Sequence, residues 1–279
     1  FQERVELLLN STSQYIFLSS ARVYAYSDEA IKESSLRLLD VCRDSEYLST
    51  DEYALAKARQ EDVLIETGKF NWTIIRPYIT YSEKKFQLGV FEKEDWLYRA
   101  INGRTIIFSK DVINNLTTLS YGLDVAKCIK SLIGTSESYG EVYNITTNKA
   151  ISWREVLNIY LGVLEGNLGF RPKYLLLDMN DFIEFSASKY QVYYDRMYDR
   201  VFDNSKICSI VPCDDFTELE IGMEKCLTEF VKKPNFNKIS WYNEAKKDRL
   251  TKEITLLSEI KGVKQKIIYL VFRFLIKKI

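Results

Sequence analysis

Two short apolar runs with a helix-forming stretch between them constrain this chain more than any other feature. Tyr15-Ile16-Phe17-Leu18 ends in Ser19-Ser20, and Trp72-Thr73-Ile74-Ile75 ends in Arg76-Pro77. Runs of this length, bounded by turn formers, fit strands buried on both faces of a parallel sheet. Between them the pattern predicts a polar loop over 27–50 and a helix over 50–66, stopped at Gly68. Strand, crossover helix and strand form a βαβ unit, which requires a parallel sheet with helices on its faces.

The remainder alternates less regularly. Helical spacing marks 96–101, and apolar or β-branched runs mark strands over 105–108, 117–121 and 141–145. Asp124 is placed to cap a helix through Leu132, its carboxylate accepting from the free amides of the first turn. Ser152-Trp153-Arg154-Glu155 is a capping box opening a helix to about Leu164. Tyrosines, aspartates and arginines crowd 180–203, and a further helix is expected over 214–232. No internal repeat or low-complexity linker sets a sharp domain boundary.

The chain contains no histidine. That removes Ser-His-Asp and Cys-His nucleophile pairs and histidine-ligated metals, and no metal site is expected. The five cysteines include no Cys-x-x-Cys pair, and their odd number argues against a disulfide framework, so they read as reduced and structural. Lys plus Arg equals Asp plus Glu at 39 each, so no net field favours nucleic acid or a membrane. With no signal-like charged region ahead of the opening amphipathic helix (Val5, Leu8, Leu9), the composition reads as that of a cytoplasmic small-molecule enzyme or a plain scaffold.

Carboxylates, tyrosines, lysines and cysteines remain for chemistry, and the best proton device among them is Tyr53 with Lys57. A free tyrosine titrates near ~10, too high for a base at neutral pH unless a positive charge stands close. Lys57 lies one turn along the same helix face. Ser20, ending the preceding strand, can hydrogen-bond a substrate oxygen while Tyr53 takes its proton. Tyr-x-x-x-Lys spacing also occurs at Tyr81/Lys85, in a polar loop, and at Tyr242/Lys246, in a polar run with no strand before it. Only Tyr53/Lys57 has a strand on each side.

These residues resemble the extended short-chain dehydrogenase/reductases, the NAD-dependent epimerase/dehydratase group acting on nucleotide sugars. Phe17-Leu18-Ser19-Ser20-Ala21-Arg22-Val23-Tyr24 resembles the family's strand with its catalytic Ser/Thr, and Tyr53-Ala54-Leu55-Ala56-Lys57 its Tyr-x-x-x-Lys. Ile74-Ile75-Arg76-Pro77-Tyr78, Asp124-Val125-Ala126 and Val142-Tyr143-Asn144-Ile145 resemble its later signatures, so the likeness spans residues 1–165. It implies an α/β fold: a partial Rossmann-like doubly wound parallel sheet over 1–82, with 117–147 returning to it in part, and a smaller α+β substrate domain with C-terminal helices over 83–279. It implies Ser20, Tyr53 and Lys57 as catalytic residues and Ser19, Tyr53, Lys57, Pro77 and Tyr78 at an NAD or NADP cofactor. A nucleotide sugar or related carbohydrate would be the substrate.

The departures narrow this. The family's Gly-x-x-Gly-x-x-Gly phosphate turn is absent, and Gly162, Gly166 and Gly169 read as a turn at a helix end, so the chain reads as a truncated enzyme or a piece of a longer one. Ala21 and Arg22 stand where the dehydratases carry acids, which disfavours elimination. Ile79 and Thr117 replace a family asparagine and a diphosphate-binding arginine, leaving Arg99, Arg104 and Lys110 as substitute cations, with Ser20, Arg99 and Arg104 expected to meet the substrate. The expected activity is sugar-nucleotide epimerase or reductase, and the alternative is a non-catalytic binding or oligomerisation module. Helices near 1–13 and 50–67 offer a homodimer contact. The apolar stretch 267–279, interrupted by Arg273, is too short to span a bilayer; it reads as a helix packed on the body or another subunit, with a basic membrane-surface contact over 263–279 as the alternative.

Overall fold

In chain order the principal elements are α1 (Val5–Asn10), β1 (Tyr15–Leu18), α2 (Tyr53–Glu66), β2 (Trp72–Pro77), β3 (Ile79–Tyr81), α3 (Lys93–Ile101), β4 (Ile106–Ser109), β5 (Leu119–Tyr121), α4 (Gly122–Leu132), β6 (Glu141–Ile145), α5 (Trp153–Leu168), β7 (Tyr174–Leu177), α6 (Leu219–Lys232), α7 (Trp241–Thr251) and α8 (Val263–Leu270). They come from a computed structural model that describes residues 1–213 and 216–275. The chain divides into two units, the first made of Phe1–Ser82, Asn115–Ser152 and Tyr190–Gly222, the second of Glu83–Asn114, Trp153–Lys189 and Met223–Ile279. The division expected at residue 82 therefore lacks one passage, since 190–222 joins the first unit as well.

The first unit is built on a parallel sheet of order β1-β2-β6. Tyr15 pairs with Trp72 and Leu18 with Ile75, while Ile75 pairs with Tyr143 on the other side. Side chains alternate across the strands. Phe17, Trp72 and Ile74 pack on Val5 and Leu9 of α1 and Leu64 of α2. Ile75, Tyr143 and Ile145 turn to the opposite face, onto Val125, Cys128 and Leu132 of α4. Helices thus cover both faces, as a doubly wound sheet requires. The crossover helix α2 starts where Glu52 accepts the Ala54 amide at 2.8 Å, and Gly68 follows its end at φ +68°, a conformation costly for other residues.

The second unit pairs β4 with β7, parallel, with Ile106 against Tyr174. Its core stacks Trp96 of α3 on Tyr160 of α5, ring centres 4.5 Å apart. Gly89, at φ +59°, passes so close to Phe108 that a Cβ would lie 2.6 Å from the ring, so only glycine fits.

Several expectations change in detail. Asp124 does not cap α4: it sits in the first turn, where Oδ2 accepts the Thr217 amide at 2.7 Å and Oδ1 the Lys127 ammonium at 2.9 Å. The stretch 117–121 divides, Leu116–Thr117 pairing antiparallel with Ile151–Ser152 and β5 running parallel to β3. Gly162 and Gly166 lie inside α5, which runs on to Leu168, and Gly169 at φ +76° ends it. The helix expected over 214–232 begins at Leu219; Asp214, Asp215 and the terminal 276–279 lie outside the described residues. Cys208 and Cys213 are disulfide-bonded, against the expectation of reduced cysteines, because the chain turning back after Cys208 brings their Cα atoms to 5.2 Å, within the usual reach of the bond.

Candidate active site

The carboxyl end of β1 and the start of α2 together leave three hydroxyl donors unspent among the described residues. Ser19 Oγ is buried without a hydrogen-bond partner among the described residues. Ser20 Oγ accepts the Arg22 amide at 3.2 Å, capping the turn Ala21–Val23, and its own O–H donates to nothing among the described residues. Tyr53, at the first position of α2, is 47% exposed, and its hydroxyl makes no hydrogen bond among them. An unpaired buried hydroxyl costs about 1–3 kcal/mol, so Ser19 marks a place where a ligand or water would be welcomed. In open parallel sheets, ligands bind beyond the carboxyl ends of the strands.

Lys57 lies one turn on from Tyr53. Its Nζ donates to the Leu18 carbonyl at 2.7 Å and stands 5.9 Å from the Tyr53 ring centre and 4.9 Å from that of Phe17. Burial pushes the Lys57 ammonium below its ordinary value, with Glu61 opposing. A lysine has three N–H donors, so two remain for a ligand.

A second cation meets the same ring. The Arg22 guanidinium lies 5.2 Å over Tyr53, ion-pairs with Glu52 at 2.5 Å and approaches Asp195 at 3.8 Å. Behind it, Asp195 is buried between two further guanidiniums, Arg200 at 2.9 Å and Arg196, and receives the Tyr78 hydroxyl at 3.1 Å. Arg196 also donates to the Tyr78 oxygen at 2.8 Å. Burial pulls Arg196 and Arg200 below their ordinary values, yet a guanidinium stays charged at any physiological pH.

Arg76 acts as a clamp rather than a ligand group. It is buried, bonded to Glu61 of α2 at 2.6 and 2.9 Å and to the Tyr24 hydroxyl at 2.7 Å, which in turn donates to Asn144 at 2.8 Å. Burial pushes Tyr24 up to about 12, so it serves as a neutral hydroxyl. The clamp fixes α2, and with it Tyr53 and Lys57, against β2.

No family model and no curated protein matches this sequence. Solved structures do match. UDP-glucuronic acid 4-epimerase from Bacillus cereus, in complex with UDP-glucuronic acid and NAD, aligns with a TM-score of 0.61 at 18% identity, over 84% of this chain and 66% of that one. The chain has the fold of the extended short-chain dehydrogenase/reductases. UDP-N-acetylglucosamine 4-epimerase from Methanobrevibacter ruminantium aligns over 82% of this chain and 64% of that one, with a TM-score of 0.57 and 20% identity. The Bordetella bronchiseptica enzyme WbmH in complex with NAD+ aligns over 84% and 68%, with a TM-score of 0.58 and 14% identity. The chain thus spans about two thirds of the length of the solved chains it aligns with.

Within this fold, α2 gathers Tyr53 and Lys57 and packs on the turn that follows Ser20. Tyr78 points into the Asp195–Arg196 pair, buried with its hydroxyl satisfied. Arg99 and Arg104 need correction. Arg99 is fully buried and bound to Glu244, Asp248 and Glu253 at 2.9, 2.7 and 2.8 Å, and Arg104 to Glu259 at 2.9 Å. Both are spent on the chain's own carboxylates rather than held for a diphosphate. Lys110, exposed, pairs with Asp178 at 2.5 Å. The cations at the Tyr53 ring are instead Lys57 and Arg22, which the sequence showed only as a missing acid, and behind Arg22 stand Arg196 and Arg200 on Asp195. Their one sequence signal is the repeat of Asp-Arg at 195–196 and 199–200, inside the crowded stretch 180–203.

Proposed function

We propose that this chain carries the proton-transfer half of a nucleotide-sugar epimerase that works with NAD or NADP. The observation that supports it most is Tyr53: an exposed residue at the start of α2, against Lys57 and Arg22, whose hydroxyl has no hydrogen-bond partner among the described residues, with Ser20 at the end of a parallel strand keeping its O–H free among them.

The residues present fit the nicotinamide end of such a cofactor. The orphaned Ser19 hydroxyl and the two unspent Lys57 donors would hold the ribose and amide there. They do not provide for the pyrophosphate, because the sequence contains no Gly-x-x-Gly-x-x-Gly turn. When bound, the nicotinamide would accept hydride from one sugar carbon and return it to the opposite face. Tyr53 takes the proton from the hydroxyl on that carbon and later gives it back to the keto oxygen. Ser20 donates to the same oxygen and fixes its direction. Lys57 and Arg22 supply the positive charge that faces the deprotonated phenol. The surplus of Arg22, Arg196 and Arg200 over Asp195 and Glu52 favours an anionic substrate, as a nucleotide sugar is.

The test is direct. The purified protein, given NAD and UDP-glucose or UDP-glucuronic acid, should yield the 4-epimer by chromatography with no net reduction of the cofactor, and Tyr53→Phe should not. Net consumption of NADPH with a keto-sugar would make it a reductase. Failure to bind either dinucleotide, even at millimolar concentration, overturns the reading for this chain.

A further inference from the structure

The segment 260–279 differs from the rest of the sequence in charge. Lys261, Lys264, Lys266, Arg273, Lys277 and Lys278 fall within it and no acid does, although the whole chain is balanced. The structure shows how its described part sits. One face of α8 is anchored: Tyr269 is buried, donates to Asp248 at 2.7 Å and accepts the Thr255 amide at 2.8 Å, and Ile260 and Tyr269 pack on Trp241 and Ala245. Just beyond α8, Phe272 meets Tyr242 edge-on, ring centres 4.5 Å apart. These contacts fix which way the other face points. It is apolar as well: Val263, Ile267 and Leu270, at intervals of four and three, are 74, 55 and 37% exposed, and Phe274, in the wider turn Val271–Leu275 that follows, is 51% exposed. Leu275 and, before the helix, Leu256 and Leu257 are exposed as well. Lys261 and Lys264 flank it in solvent, while the nearby acids Glu253 and Glu259 are tied to Arg99 and Arg104.

We propose that this face rests on an anionic lipid surface, with Val263, Ile267, Leu270 and Phe274 in the headgroup boundary and the lysines on lipid phosphates. A solvent-facing apolar stripe bordered by lysines is the arrangement that lies in the plane of an interface, and among the described residues no helix is long and apolar enough to cross a membrane. The charge argues against a second copy as the occupant, because a self-complementary contact would press two acid-free cationic patches together. The inference is independent of the epimerase reading, since it uses none of the residues of that site.

Co-sedimentation of the whole protein with vesicles of equal parts phosphatidylcholine and phosphatidylglycerol tests it. Binding is expected, weakened by added salt, and weaker by on the order of 100-fold when Lys261, Lys264 and Lys266 are changed together to Gln, at about fivefold per surface charge. Val263→Glu with Ile267→Glu and Phe274→Glu should abolish sedimentation while the thermal transition persists, because these side chains already face solvent. The proposal is overturned if the native protein stays in solution with the anionic vesicles, or if the folded triple-Glu variant sediments as well as the native one. It is equally overturned if the protein is an oligomer that those three changes dissociate and no vesicle binding is seen.

Discussion

Two buried clusters of arginines and carboxylates, one in each unit, look alike in composition and differ in balance. In the second unit Arg99 and Lys247 face Glu244, Asp248 and Glu253, two cations to three carboxylates. Thr105 and Thr251 donate to Glu253, and Thr255 and Tyr269 to the Asp248 oxygen that Arg99 leaves free. In the first unit Arg22, Arg196 and Arg200 face Asp195 and Glu52, three cations to two carboxylates, and one of the cations lies against an exposed tyrosine. A buried charge is tolerated when it is paired and its hydrogen bonds are met. The first arrangement is closed, with every partner internal. The second leaves positive charge beside groups that have bonds to spare, which is what a ligand site requires and a structural lock avoids.

Arg99→Ala should have the largest effect, because it leaves Asp248 buried without its guanidinium and Glu244 with Lys247 alone: about 3–5 kcal/mol of unfolding free energy, read from urea denaturation. A loss under about 1 kcal/mol would show that the closed cluster is not a lock. Tyr53→Phe should do the reverse. Removing a hydroxyl that makes no hydrogen bond among the described residues should leave stability within about 0.5 kcal/mol, while epimerisation falls by about 10²–10⁴-fold, the usual share of a general acid–base. Equal damage to stability from both substitutions would erase the distinction between the clusters.

That distinction was only half legible in the sequence. The sheet was readable because its strands are uniform apolar runs with sharp ends: Tyr15–Leu18 lies where the pattern put it, and Trp72–Pro77 runs only two residues further. Tyr53 and Lys57 were readable because a helix fixes the relation of residues four apart. Cations carry no such signature. Arg99 and Arg104 lie within six residues of each other and of an apolar run, yet their partners, Glu244, Asp248, Glu253 and Glu259, are more than a hundred residues away. The same distance hid Asp195 and Arg196 from Tyr78. Long-range ion pairing decides whether a guanidinium is free for a ligand, and spacing does not report it.

Acid should open the closed cluster of the second unit. In that unit, burial pushes Asp248, Glu253 and Glu259 up, but Arg99, Arg104 and hydroxyl donors outweigh it, so all three titrate below their ordinary values. A carboxyl depressed on folding stabilises the protein above its unfolded value of about 4 and loses that contribution as pH falls toward the depressed one. The melting temperature should therefore hold from neutrality to about pH 5 and drop below about pH 4. Amide exchange protection in α3 and α7 should be lost in the same interval. Retention of that protection through the drop would place the acid-sensitive groups elsewhere.

Arg22→Gln should affect turnover less than Tyr53→Phe and is the most discriminating, because its two consequences for stability oppose each other. The change breaks the 2.5 Å pair with Glu52, whose other oxygen still caps α2 through the Ala54 amide. It also removes a charge that repels Arg196 and Arg200, since Arg22 lowers both. The net shift in unfolding free energy should stay within about 1 kcal/mol of zero, unlike Arg99→Ala. Turnover should respond differently. Without Arg22, Tyr53 keeps Lys57 but loses the guanidinium over its ring, so kcat should fall about tenfold, the effect of losing about 1.4 kcal/mol of transition-state stabilisation. KM for the sugar nucleotide should change less than kcat if Arg22 acts through Tyr53, and more than kcat if it contacts the substrate diphosphate. Unchanged kcat and KM would remove Arg22 from the site and leave its cluster as closed as the one around Arg99.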